Sequence, residues 1–129
     1  KVASLDLFSS CSLAFVERVC SAMEPRWYLA GQSVVVMGSS DAGQMFFLRS
    51  GRLAVERIRK KKIGEIQPGA CFGELTMLGV VEFRTVTIRT LTLCSIMEIS
   101  RSTFLGVLET SPREAEHFSQ VHVTNEAVV

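Results

Sequence analysis

The sequence predicts a mainly β protein, a β-sandwich, roll or barrel, with helices at both ends of the chain. Three observations carry this. Apolar residues between Pro25 and residue 100 fall into short runs of strand length. Glycine and small polar residues separate those runs at close intervals. The two ends of the chain instead show apolar residues at helical spacing.

The first helical pattern spans 12–23, where Phe15, Val16, Val19, Cys20 and Met23 recur on one face. Ser12 is suited to cap it, and Pro25 stops it from outside. Strands are expected near 26–29, 33–37, 45–49, 53–59, 63–67, 85–90 and 94–99. The turns between them are Ala30-Gly31, the stretch from Gly38 to Gly43, Ser50-Gly51 and Pro68-Gly69. Alternation over 85–90 points Val86 and Ile88 toward the core. Two C-terminal helices are expected over 101–122. Phe104, Leu105, Val107 and Leu108 form a stripe with Ser102 as cap; then Pro112 opens a last helix from Arg113 to about Val121, with Ala115, Phe118 and either Val121 or His122 on one face.

The 129 residues suit a single domain, 1–129, with its strands over 26–100. Lys and Arg number 14 against 13 Asp and Glu, a net charge of +1. So balanced a chain has no global attraction for nucleic acid or an anionic membrane, and any anion must be held by a local site. Hydrophobic residues make up 47% of the chain, yet no apolar run approaches the roughly 18 residues of a membrane helix. Membrane insertion by this domain is therefore not expected. The chain starts at Lys1 without a signal-peptide pattern, as a piece excised from a longer protein would. Cys11, Cys20, Cys71 and Cys94 form no Cys-x-x-Cys pair and have no His at metal spacing; they read as buried free thiols of a cytoplasmic protein.

The segment Pro68-Gly69-Ala70-Cys71-Phe72-Gly73-Glu74-Leu75-Thr76-Met77-Leu78, followed by Arg84-Thr85-Val86-Thr87, carries the chemistry. Gly73 permits a tight turn and a close backbone approach. The residues after it suit a short helix whose first N–H groups make an anion seat. Glu74 in that first turn is odd without a partner, since it competes with an anion. Arg84 opens a strand that can return beside the seat, and a guanidinium suits bidentate phosphate contact. One Arg, one Glu and a helix N-terminus together suit a phosphate fused to a sugar.

At these residues the chain resembles a cyclic-nucleotide-binding domain, the cAMP- and cGMP-binding regulatory β-roll. Phe72-Gly73-Glu74-Leu75 is similar to that family's phosphate cassette, here 72–85, and Arg84-Thr85 to its closing Arg and small residue. The likeness extends to Gly31, Gly38, the run from Met45 to Val55 and Ile66-Gln67-Pro68-Gly69. It implies that Glu74 accepts from a ribose 2′-hydroxyl and that Arg84 pairs with the cyclic phosphate. Backbone N–H groups near Leu75 and Thr76 would face the phosphate, Thr85 the phosphate and base, and Val55 the purine. The implied binding set is Gly73, Glu74, Leu75, Thr76, Arg84, Thr85, Val55, Phe72 and Val86. Glu74 and Arg84 would support each other in the empty site. The segment Gly79-Val80-Val81-Glu82-Phe83 makes the cassette a residue longer than usual, Phe83 replaces a common Pro, Gly or Arg, and Val86 replaces Ala. These departures bear on loop shape.

The resemblance thus implies a regulatory module, not an enzyme, with a cyclic purine nucleotide as ligand and no cofactor or metal. A C-terminal helix carrying Phe118 would close over the base and pass its movement to an effector in the same chain or complex, a cation channel or a protein kinase. The alternative is a homology domain that binds no nucleotide and serves in interaction or assembly, with Glu74 and Arg84 as a structural ion pair. A bacterial-type transcription regulator would need a helix-turn-helix after the roll, and none follows. A cupin-type metalloenzyme would need a His cluster inside the roll, whereas His117 and His122 both lie outside it. No Ser-His-acid or Cys-His pattern stands out. The basic run Arg57, Arg59, Lys60, Lys61, Lys62 reads as a solvated hairpin tip, with lipid or partner docking as the other reading.

Overall fold

The computed structural model describes residues 8–41 and 43–128, with side chains described as far as Gln120. Its first element is helix α1 (Leu13–Ala22). Strands β1 (Glu24–Tyr28), β2 (Ser33–Val35), β3 (Met45–Ser50), β4 (Leu53–Arg57), β5 (Lys61–Ile66) and β6 (Cys71–Phe72) follow, with a single 3₁₀ turn, Ile58–Lys60, between β4 and β5. A short helix α2 (Glu74–Met77) precedes β7 (Thr87–Thr90) and β8 (Cys94–Ile99), and helices α3 (Arg101–Leu108) and α4 (Pro112–Val128) end the chain. The strands form two four-stranded antiparallel sheets, β1-β8-β3-β6 and β2-β7-β4-β5. This is the β-roll, of the jelly-roll or double-stranded β-helix type, that the resemblance implies, and one of the architectures that the spacing of turns and apolar runs leaves open.

Two hydrophobic cores result. Inside the roll, Val35, Phe46, Leu48, Leu53, Ile66, Phe72, Ile88, Cys94 and Ile96 pack together, with Phe46 stacked on Phe72 at 5.0 Å between ring centroids. Beside the roll, Phe15, Val19, Met45, Met77, Ile99, Phe104, Leu108 and Phe118 form a helical core. Strand alternation lets β3 serve both: Met45 faces the helices, while Phe46 and Leu48 face the roll. Helix α4 is tied to α1 by the buried Glu114 carboxylate, which accepts the Ser12 backbone N–H at 3.0 Å.

Local signals located most elements. Ser12 caps α1 by accepting from the Phe15 N–H, and Pro112 stands at the first position of α4. Several boundaries moved. Pro25 lies within β1, a strand at the edge of its sheet where a missing N–H is tolerated. The strand expected over 53–59 stops at Arg57, because Arg59 and Lys60 turn the chain with φ of 62° and 58°. The strand expected from 85 begins at Thr87, and Cys71-Phe72 pairs with β3, a strand too short to show periodicity. Ser100, rather than Ser102, caps α3 through the Thr103 N–H, and α4 runs on to Val128. Of the thiols read as buried, Cys94 is buried, Cys11 and Cys71 are half-buried and Cys20 is exposed, at an open groove it shares with Phe47, Cys71 and Met97. The side chains of Val121 and His122 lie outside the described residues.

Candidate functional site

The site is assembled where β6 ends. Gly73 follows with φ of 83°, a left-handed backbone that favours glycine, and it leads directly into α2. A Cβ at Gly73 would lie 2.9 Å from both the Arg84 guanidinium and the Gln44 carbonyl oxygen, so the close approach also demands glycine. Helix α2 is held from its far end. Met77 is buried in the helical core, and the Arg101 guanidinium of α3 donates to the Thr76 and Met77 carbonyls at 2.7 and 2.9 Å. A cation at the C-terminus of a helix satisfies carbonyls that have no partner within it.

Arg84 is brought back by the loop after α2. Its backbone pairs with the 38–39 turn: Gly38 N–H donates to its carbonyl at 2.7 Å, and its own N–H donates to Ser39 at 2.9 Å. The side chain is only 4% exposed. Nε and Nη2 donate to the two Asp41 carboxylate oxygens at 2.8 and 2.9 Å, a fork-to-fork pair. Nη2 also donates to the Gln44 carbonyl at 2.9 Å, and Nη1 reaches the Gly73 carbonyl at 3.4 Å. The guanidinium lies over the Phe46 ring, 5.6 Å from its centroid. Hydrogen bonding from Arg84 holds the Asp41 carboxyl below its ordinary value.

Glu74 is also 4% exposed, but it makes no ion pair among the described residues. Burial pushes its carboxyl above the ordinary value, opposed mainly by its own backbone N–H. The mutual support expected between Glu74 and Arg84 is therefore overturned. Asp41 takes the guanidinium because the Arg84 backbone is bonded to the 38–39 turn just before it, leaving Glu74 at the cavity without an ion pair among the described residues.

That cavity has a volume of about 140 Å³. All nine residues singled out from the sequence line it: Val55, Phe72, Gly73, Glu74, Leu75, Thr76, Arg84, Thr85 and Val86. Val35, Ile66, Val81 and Ile88 complete the wall. One side is thus aliphatic, and the other carries a carboxylate, a guanidinium and hydroxyls. An arrangement of this kind suits a ligand with a flat apolar part and a hydroxylated, anionic part. The cavity is smaller than the roughly 300 Å³ at which ligand pockets commonly begin, so such a ligand must widen it or project from its mouth.

Phe118 is not at this cavity. It is buried in the helical core, 5.4 Å from Phe104 and 6.1 Å from Phe15 between centroids, because its face of α4 is the one turned to α1 and α3. Two contributors escaped the sequence reading. Asp41 read only as part of a turn, and its one local sign is the Asx-type bond from the Gly43 N–H at 2.8 Å. Arg101 has no local signal at all. Among the described residues, no group of three or more His, Cys, Asp or Glu is placed to hold a metal, and no helix is long and apolar enough to cross a membrane.

Comparison with known proteins adds three kinds of finding. The family model described as the cyclic nucleotide-binding domain matches residues 25–111. The potassium channel KOR1 of Oryza sativa subsp. japonica is 25% identical over 112 residues, which cover 84% of this chain and 13% of the channel. The chain thus spans a small part of that relative's length. Among solved structures, the N-terminal domain of a transcriptional regulator from Streptomyces coelicolor A3(2) superposes with a TM-score of 0.79 at 17% identity, covering 94% of this chain and 87% of that one. The regulatory domain of Toxoplasma gondii PKA, a co-crystal with cAMP, gives 0.71 at 24% identity, with 78% and 39% covered. The catabolite activator protein of Thermus thermophilus gives 0.70 at 17%, with 94% and 58% covered. At these identities the structures share the fold.

Proposed function

Because the chain belongs to the cyclic nucleotide-binding domain family, a family of regulatory rather than catalytic modules, we propose that its roll cavity reversibly binds a cyclic purine nucleotide, cAMP or cGMP. The observation that carries this reading is the convergence of nine residues on one cavity whose polar end holds a buried cation and a buried, unpaired carboxylate. Glu74 accepts a hydrogen bond from the ribose 2′-hydroxyl, which relieves its isolation; a bond to a charged group is worth about 1.5–3 kcal/mol. Arg84 meets the cyclic phosphate together with N–H groups of α2. Three of its five donors are already engaged at 2.9 Å or less and Nη1 makes one long contact, 3.4 Å, to the Gly73 carbonyl, so Nη1 is the nitrogen with a donor left for the phosphate. Val55, Val86 and Phe72 pack on the base, and Thr85 offers it a hydroxyl.

In this reading the signal leaves through α2. Arg101 bonds its last carbonyls and Met77 sits among the helical-core side chains, so a shift of α2 displaces α3 and, through it, α4. The nucleotide drives that shift only by its differential affinity for the two positions. The effector is a cation channel or a protein kinase lying elsewhere in a longer cytoplasmic chain or complex, as the potassium channel and PKA likenesses support. The module itself catalyses nothing.

The small cavity and the engagement of Arg84 by Asp41 favour a second reading, a homology domain used for assembly without a nucleotide. Calorimetric titration with cAMP, cGMP and linear AMP separates the two. Heat with either cyclic nucleotide, and a melting shift matching about 2.7 kcal/mol at one hundred times the dissociation constant, is expected. Absence of both heat and shift overturns nucleotide binding.

A further inference from the structure

Outside the cavity, the most unusual surface is the tip of the β4-β5 hairpin. Residues 57–62 carry five cations, Arg57, Arg59, Lys60, Lys61 and Lys62, while the other 123 residues hold nine cations against 13 acids. The molecule is therefore strongly dipolar although nearly neutral. Every residue from 57 to 65 is exposed. Lys62 bonds Glu65, whereas Arg57, Arg59, Lys60 and Lys61 form no ion pair among the described residues. Two isoleucines flank the cations, Ile58 at 68% and Ile63 at 50% exposure.

Protection of an edge strand explains lysines on β5, which lies at the end of its sheet. It does not explain Arg57 and Arg59, the exposed isoleucines, or the turn. Arg59 and Lys60 are the only non-glycine residues with positive φ among the described residues, at 62° and 58°. That backbone is strained for long side chains, and here it reverses the chain between the paired residues Arg57 and Lys61.

We propose that this tip docks the domain peripherally on an anionic phospholipid surface. The tip is exposed along its whole length and presents several charges together, which fits a fluid surface of headgroups. It carries no aromatic side chain on which a nucleic acid base could stack. Ile58 and Ile63 enter the headgroup boundary beside the cations, and the acidic remainder of the domain is repelled, so the tip leads.

Co-sedimentation of the 129-residue chain with phosphatidylcholine vesicles, with and without phosphatidylserine, tests this. Binding is expected only with phosphatidylserine, and it falls as salt rises. Each Lys or Arg near such a surface contributes about a fivefold change in partition, so Arg59→Gly/Lys60→Gly is expected to weaken binding about 25-fold. Glycine accepts the same backbone, so the turn survives. Lys61→Gln/Lys62→Gln is a second variant with the same expected loss, and melting curves check that both fold. Ile58→Ser/Ile63→Ser keeps every charge and is expected to weaken binding, most visibly at high salt. Equal pelleting with neutral vesicles, no pelleting with phosphatidylserine, or indifference to the charge variants overturns the proposal. So does equally tight binding to polyglutamate that ignores the isoleucine variant, which would make the partner an acidic polypeptide. None of these readouts involves nucleotide, so the result stands apart from the reading of the cavity.

Discussion

On one side of β3, Phe8, Phe15, Phe104 and Phe118 meet one another at 5.4–6.2 Å between ring centroids, several of them edge to face. On the other side, the roll is filled mostly by aliphatic residues with one stacked pair, Phe46 and Phe72, and its packing stops short at a cavity. The helical core is closed by large rings whose removal leaves a hole. The roll already contains a hole, rimmed by Arg84 and Glu74 in unlike states, one held by Asp41 and two backbone carbonyls, the other without an ion pair among the described residues. The difference separates residues that hold the fold from residues kept at some cost to it. Strand β3 contributes to both cores, and helix α2 lines the cavity while its Met77 packs in the helical core.

The sharpest test compares truncations in the two regions. Phe104→Ala is expected to lose about 3–5 kcal/mol in chemical denaturation, since Phe104 is fully buried among other rings. Val55→Ala, half-buried on the cavity wall, is expected to lose about 1 kcal/mol. Similar losses for the two would erase the contrast.

Next come the two carboxylates at the rim. Asp41→Asn leaves Arg84 buried without a counter-ion, and because Asp41 itself is 31% exposed the expected loss is about 1–3 kcal/mol at neutral pH. Since the folded Asp41 carboxyl titrates below its ordinary 3.8, this stability is present above that value and is lost as pH falls through the depressed one. The variant should therefore converge with the parent in acid.

Glu74 has the opposite sign. Its carboxyl titrates above the ordinary 4.5, so the ligand-free chain is favoured by Glu74 only below that value and loses stability as pH rises through the raised one. Glu74→Gln is expected to melt higher than the parent at neutral pH, with the gap closing toward acid, while losing affinity for cyclic nucleotide. A variant that melts lower at neutral pH would mean that Glu74 supports the fold.

The smallest effect concerns Thr85, exposed at the cavity mouth. Thr85→Ala is expected to leave melting unchanged and to weaken cGMP more than cAMP by about three- to tenfold, the worth of one neutral hydrogen bond. Paired titrations measure it, and equal losses would place base selection elsewhere.

The sequence by itself determined what depends on neighbours within a few residues. Ser12 caps α1 because its hydroxyl reaches the N–H three positions on. Gly73 and the residues after it form a turn and a short helix. The alternation around Ile88 puts that side chain in the roll core. The nine cavity residues were named through the resemblance, because 72–76 and 84–86 match the family's cassette and Val55 a position in its strand pattern, and all nine line one cavity. Only the tertiary structure decided which carboxylate meets Arg84, what secures the end of α2, and where Phe118 packs. Asp41 reaches the guanidinium only after both sheets have set the position of the turn before β3. Arg101 reaches the Thr76 and Met77 carbonyls only once β8 has delivered α3 beside α2. Periodicity records which face of an element is buried, but polar pairing depends on distances between chain segments, and those exist only once the register of every strand is set.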